Sequence, residues 1–108
     1  MASKSPIMLA LTNPVPGREA EFNRWYDEIH ARELVAVPGI AAAQRYVIVP
    51  AGGASAPYQY LTSYEIEGSV ESLQQNLAAT RESRSGSDAV AAGGAMWTYK
   101  PIGPRITG

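Results

Sequence analysis

Apolar residues fall along this chain in two rhythms, short dense runs and a spacing of three or four. Ile7-Met8-Leu9-Ala10-Leu11-Thr12 is a compact run closed by Asn13-Pro14-Val15-Pro16-Gly17, the pattern of a buried strand bounded by turn residues. After Gly17 the spacing turns helical. With residues set about 100° apart, Trp25, Tyr26, Ile29 and Glu33 fall within about 60° of Phe22. Asn23 and His30 lie roughly 80–100° away, at the margin of that apolar arc. Pro38-Gly39 stops the helix by Val37.

Ile40 to Val49 is the next strand, with Ala42, Gln44, Tyr46 and Ile48 on one face and Ala41, Ala43, Arg45, Val47 and Val49 on the other. Neither face is cleanly polar, so both are expected to be covered. A small-residue connection, Ala51 to Pro57, leads to a β-favouring strand, Tyr58 to Ile66, with Tyr58, Tyr60, Thr62, Tyr64 and Ile66 on one face. Ser69 is placed to cap a second helix carrying Val70, Leu73 and Leu77, with Glu71 in its first turn. The small, polar stretch Ala79–Gly94 reads as a frayed helix end or a mobile flap. Met96–Lys100 is a last strand, followed by a tail rich in proline and glycine.

The resulting order, β-α-β-β-α-β, predicts an α+β, ferredoxin-like domain over residues 1–108: one four-stranded antiparallel sheet with two helices on one face. The other face is too apolar to stay wet. Two sheets packed face to face, as a homodimer, would cover it.

Composition narrows the function classes. The chain has 108 residues, 45% hydrophobic and 18% charged, with nine basic against ten acidic residues and a net charge of -1. One domain of ordinary composition is expected. No basic run points to nucleic acid or to a membrane surface. No cysteine is present, so disulfides and thiolate chemistry are excluded. The N-terminal apolar stretch is too short for a signal-peptide core or a membrane span, which makes a cytoplasmic location the expectation. A single histidine without cysteine leaves few metal-ligand sets, and no metal is expected. Gly52-Gly53 and Gly93-Gly94 lack the strand–loop–helix context of a phosphate cradle.

His30 is the only histidine, and its ordinary pKa lies near neutrality. It is the leading candidate for acid–base chemistry. Near a helix C-terminus the macrodipole would favour its cation, Asp27 would reach it across the helix surface, and Tyr26 would set a phenol beside it. The structural alternative is a boundary histidine bonded to a carbonyl. Phe22 and Trp25 read first as core, with Trp25 also a candidate to touch substrate. Glu33, on the apolar arc, is either an acid of raised pKa or the point where the helix ends. Six tyrosines beside one phenylalanine suggest hydroxyls that orient a substrate oxygen; Tyr46 and Tyr64, with Trp97, are the strand candidates. Gln44 and Arg45 alternate, so at most one enters the same pocket. An inward Arg45 would suit an anionic oxygen or an interface ion pair.

Several segments also resemble the EthD-like branch of the dimeric α+β barrel superfamily. They are Asn13-Pro14 with Gly17 and Glu19, Phe22-Asn23-Arg24-Trp25-Tyr26, Asp27-Glu28-Ile29-His30, Ala36-Val37-Pro38-Gly39, Gln44-Arg45-Tyr46 and Tyr99–Arg105. Relatives often carry a proline two residues after the histidine, where this chain has Arg32. The resemblance implies a pocket between sheet and helices. It does not imply one reaction, because the superfamily holds monooxygenases, cyclases, isomerases, dehydratases and haem-degrading enzymes.

The expected function is a cofactor-independent lyase, isomerase or cyclase that binds a small apolar or aromatic carbonyl compound, with His30 and Tyr26 catalytic and Trp25, Tyr46, Tyr64 and Trp97 binding substrate. The alternatives are a cofactor-free monooxygenase of a phenolic substrate and a non-catalytic small-molecule-binding accessory protein. Oxygen consumption separates the first alternative; ligand binding that survives loss of His30 marks the second.

Overall fold

A computed structural model describes residues 5–51 and 55–108. Residues 1–4, and positions 52–54 of the small-residue connection, lie outside the described part. The sheet has four strands, β1 (Ile7–Thr12), β2 (Ile40–Val47), β3 (Tyr60–Ile66) and β4 (Ala95–Tyr99), in the order β2-β3-β1-β4. All three pairings are antiparallel. With its helices this is the ferredoxin-like arrangement expected from the sequence.

The first helical region is not uniform. It runs as α1 (Glu19–Trp25), a π-helical turn (Tyr26–His30) and α2 (Ala31–Val35). Gly39, at φ 105°, makes the turn into β2, a conformation an L side chain rarely adopts. A Cβ there would also crowd Leu73 Cδ1 at 3.3 Å. In the second half, α3 (Val70–Thr80) starts where Ser69 accepts the Ser72 N–H, as its cap position predicts.

Strand alternation sorts the sheet into two faces. Met8, Ala10, Thr62, Tyr64 and Ile66 are buried beneath the helices. With Leu34, Val37, Ile40 and Leu73, the apolar members of this set form the main core. A second cluster joins Phe22, Tyr26 and Ala89, with Trp25, Tyr60 and Val90 packed on it. Phe22 is wholly buried, and its ring meets Tyr26 at 5.5 Å and Tyr60 at 5.1 Å. Phe22→Ala is expected to cost about 3–5 kcal/mol, readable as a lowered urea midpoint; a midpoint unchanged from wild type would show that this cluster does not hold the helix to the sheet.

The opposite face carries Leu9, Leu11, Leu61, Tyr46, Trp97 and Tyr99, as the strand register dictates. Trp97 is 57% and Tyr99 51% exposed.

The stretch read as a frayed end or flap is pinned at several points. After a short 3-10 turn (Arg81–Ser83), the Glu33 carboxylate accepts the Ser85 N–H and hydroxyl at 3.0–3.1 Å. Asp88 pairs with Arg18 at 2.8 Å. Val15 N–H donates to the Ala89 carbonyl and Ala91 N–H to that of Asn13. The methyl of Ala89 is buried in the second cluster. Small residues here permit close packing, where composition alone suggested loose chain.

Candidate functional site

The π-helical turn decides what His30 touches. In an α-helix, residues five apart point about 140° away from one another. Widening the turn to i→i+5 bonding brings them onto one side. The His30 ring accordingly lies on that of Trp25, with centroids 4.5 Å apart and planes 16° from parallel. It meets Tyr26 edge-on at 4.9 Å. The same shift rotates Ile29 outward to 42% exposure, although a regular helix would place it on the apolar arc.

His30, Trp25 and Tyr26 form one wall of a cavity of about 290 Å³. Ala10 and Thr12 of β1 supply the floor, and Val90, Gly94, Ala95 and Met96 close the far side. Gly94 passes so near β1 that a Cβ would lie 3.1 Å from the Leu11 carbonyl oxygen. The lining is apolar apart from Thr12, the indole, the phenol and the imidazole. Met96, Val90 and Gly94 were not singled out from the sequence.

The two ring nitrogens of His30 differ. Nδ1 is buried without a hydrogen-bond partner, as is Trp25 Nε1. That leaves Nε2 as the nitrogen able to face the cavity. Burial holds the His30 pKa below its ordinary 6.5; Glu33 opposes this and Arg84 reinforces it. The helix continues to Val35, so His30 is not at a helix C-terminus. Desolvation therefore replaces the macrodipole effect expected from the sequence, and the neutral form is favoured. Asp27 does not pair with His30. Its carboxylate accepts from Arg45 at 2.8 Å.

Arg45 does point towards the helices, but on the other side of Tyr26. Its guanidinium sits 4.5 Å from the Tyr26 ring centroid and within 5.6 Å of those of Phe22 and Tyr60. It donates to Asp27 and to Asn23 Oδ1 at 3.0 Å. Beside it lies a separate cavity of about 380 Å³, lined by Asn23, Asp27, Arg45, Tyr46, Val47 and Tyr60. The Tyr26 ring is thus a partition with a cation on one side and an uncharged cavity on the other.

Of the expected site residues, His30, Tyr26 and Trp25 come together in the smaller cavity. Tyr64 lies behind it in the core. Its hydroxyl is sealed; Tyr26 and Thr62 approach it without reaching hydrogen-bond geometry, and burial, reinforced by Tyr26, pushes its pKa up. Tyr46 and Trp97 do not line the His30 cavity. Tyr46 is opposite Leu61 and Trp97 opposite Leu9, so both belong to the helix-free face. Strand alternation instead gives the inward position to Met96, opposite Ala10.

Among the described residues, no group of three or more histidine, cysteine or acidic side chains is arranged to hold a metal ion. No described helix is long and apolar enough to cross a membrane.

No family model matches the sequence, and no curated protein does either. Solved structures do match its fold. A candidate monooxygenase from Shewanella loihica PV-4 superposes with a TM-score of 0.64 at 21% identity, covering 94% of this chain and 98% of its own. An EthD family protein from Bacillus halodurans C-125 gives 0.60 at 15% identity, with 94% and 99% covered. A haem-degrading protein from Mycobacterium tuberculosis gives 0.55 at 17% identity, with 97% and 99% covered. These likenesses establish the fold and agree with the EthD-like resemblance of the sequence.

Proposed function

We propose that this protein is a small, cofactor-independent enzyme of the lyase, isomerase or cyclase type. It acts on a small apolar or aromatic carbonyl compound, with His30 as the proton-handling group and Tyr26 beside it. The observation that carries this reading is an imidazole stacked on Trp25 at the edge of a largely apolar cavity, where burial lowers its pKa. A volume near 290 Å³ lies at the lower end of the range for small-molecule sites. A substrate seated against these largely apolar walls would displace water from them, which strengthens a hydrogen bond to its oxygen. Tyr46, Tyr64 and Trp97 play no direct part in this site within one chain. The working unit in this reading is a homodimer.

The Mycobacterium tuberculosis neighbour is haem-degrading, but these residues do not fit a porphyrin. The cavity, about 290 Å³ in one chain, is smaller than a macrocycle needs. The monooxygenase alternative is favoured by the Shewanella loihica neighbour and by the aromatic wall, and oxygen consumption during turnover would identify it.

Met96→Trp tests whether this cavity is the site. The indole would narrow it from the β4 side, so binding and turnover of small carbonyl compounds should both fall while the circular dichroism spectrum is kept. Turnover at the wild-type rate in this variant would place the reaction elsewhere.

A further inference from the structure

The cavity beside His30 differs from its surroundings in charge. None of its lining residues is acidic or basic apart from the imidazole itself. The nearest ionic groups are engaged elsewhere: Arg45 with Asp27 and Asn23 beyond the Tyr26 ring, Arg84 with the Leu77 carbonyl and Thr80 Oγ1, and Glu33 with Ser85. A carboxylate entering this space would give up part of its hydration and meet no cation in the lining.

The same geometry fixes which way a hydrogen bond runs. One proton is shared between the two nitrogens of a neutral imidazole. Placing it on Nδ1 would bury an N–H with no acceptor, an arrangement that is rare because the group loses water and gains nothing. Placing it on Nε2 points the N–H at the cavity and leaves only a lone pair sealed in the wall. The second form is also the one that free histidine side chains favour.

Resting on the cavity assigned above, we propose that His30 is held as the Nε2–H tautomer and donates a hydrogen bond to the oxygen of an uncharged aldehyde or ketone. Carboxylates of the same shape are rejected. His30 then polarises the carbonyl as a neutral donor, and the proton it holds is directed at the substrate oxygen. Glu33 and Arg84 act on it from α2 and from the segment after α3, with opposite signs. The Tyr26 ring meets it edge-on.

Because His30 is the only histidine, labelling the protein with ¹⁵N-histidine gives a single pair of ring nitrogens. A long-range ¹H–¹⁵N spectrum at pH 7.5 should show a protonated Nε2 and an unprotonated Nδ1. Added benzaldehyde should shift Nε2, with benzoate at least about tenfold weaker. The reverse tautomer, benzoate binding as tightly as benzaldehyde, or no benzaldehyde response at millimolar concentration would each overturn the proposal. Met96→Trp separates the two levels: if its response to benzaldehyde equals that of the wild type, the cavity assignment itself fails. A reversed tautomer in a protein whose response is blocked by Met96→Trp defeats only the present inference.

Discussion

His30→Ala is expected to lower turnover of a small carbonyl substrate about 100-fold or more, with the fold intact. His30→Gln should be nearly as inactive. An amide keeps size and some hydrogen bonding, but it neither titrates nor stacks on Trp25 in the same way. The wild-type rate against pH should carry a limb below 6.5, where this imidazole, its pKa lowered by burial, takes up a proton. That limb should be absent from both variants. Wild-type turnover in either variant, or a limb unchanged by the substitution, would remove His30 from the reaction and favour a binding protein.

A stability measurement reads the same group without a substrate. The unfolded chain protonates His30 near its ordinary value of 6.5, whereas the folded chain resists protonation until lower pH. Between those two values the unfolded state binds more protons, so stability falls as pH drops through the window and returns as it rises. In His30→Gln this part of the pH dependence should flatten. Equal slopes for variant and wild type would mean that the imidazole is hydrated in the folded state.

The order of elements was legible because each carries its own local signal: Pro38-Gly39 to stop a helix, Ser69 to start one, dense apolar runs for β1 and β3. The neighbourhood of His30 was only partly legible. A regular wheel placed it at the margin of the apolar arc, but no residue from Tyr26 to His30 announces a π-helical turn. The widening is stabilised by packing of Trp25, Tyr26 and His30 on the sheet, a tertiary effect that periodicity does not contain. That one inserted step exchanged Ile29 for His30 on the inner side.

Alternation in β4 was readable, but its parity was not. Met96 and Trp97 are equally good candidates until register with β1 sets Met96 opposite Ala10. Size and aromaticity drew attention to Trp97, which belongs to the other face. For Arg45 the spacing did not show its partner within the chain, the Asp27 carboxylate at 2.8 Å. The segment 79–94 misled for a different reason. Alanine, serine and glycine bury little area each, yet they allow the backbone of residues 89–91 to bond that of residues 13–15.

Trp97→Glu should convert a homodimer to a monomer. On one chain the bare face of the sheet presents Leu9, Leu11 and Leu61 with Tyr46, Trp97 and Tyr99, an aromatic and aliphatic surface of the composition found at interface centres. Trp97 is 57% exposed in the single chain, so replacing it should alter folding stability by no more than about 0.5 kcal/mol. Across a two-fold interface the same change buries one uncompensated carboxylate from each copy. Each unpaired buried charge costs about 3 kcal/mol or more, and every 1.4 kcal/mol is about tenfold in the dissociation constant. Affinity should therefore fall by roughly four orders of magnitude. Sedimentation at micromolar concentration should show a dimer for the wild type and a monomer for the variant, with matching circular dichroism spectra. A wild type that sediments as a monomer would mean that the sheet face stays open to water in solution, and the barrel formed by two copies would be ruled out.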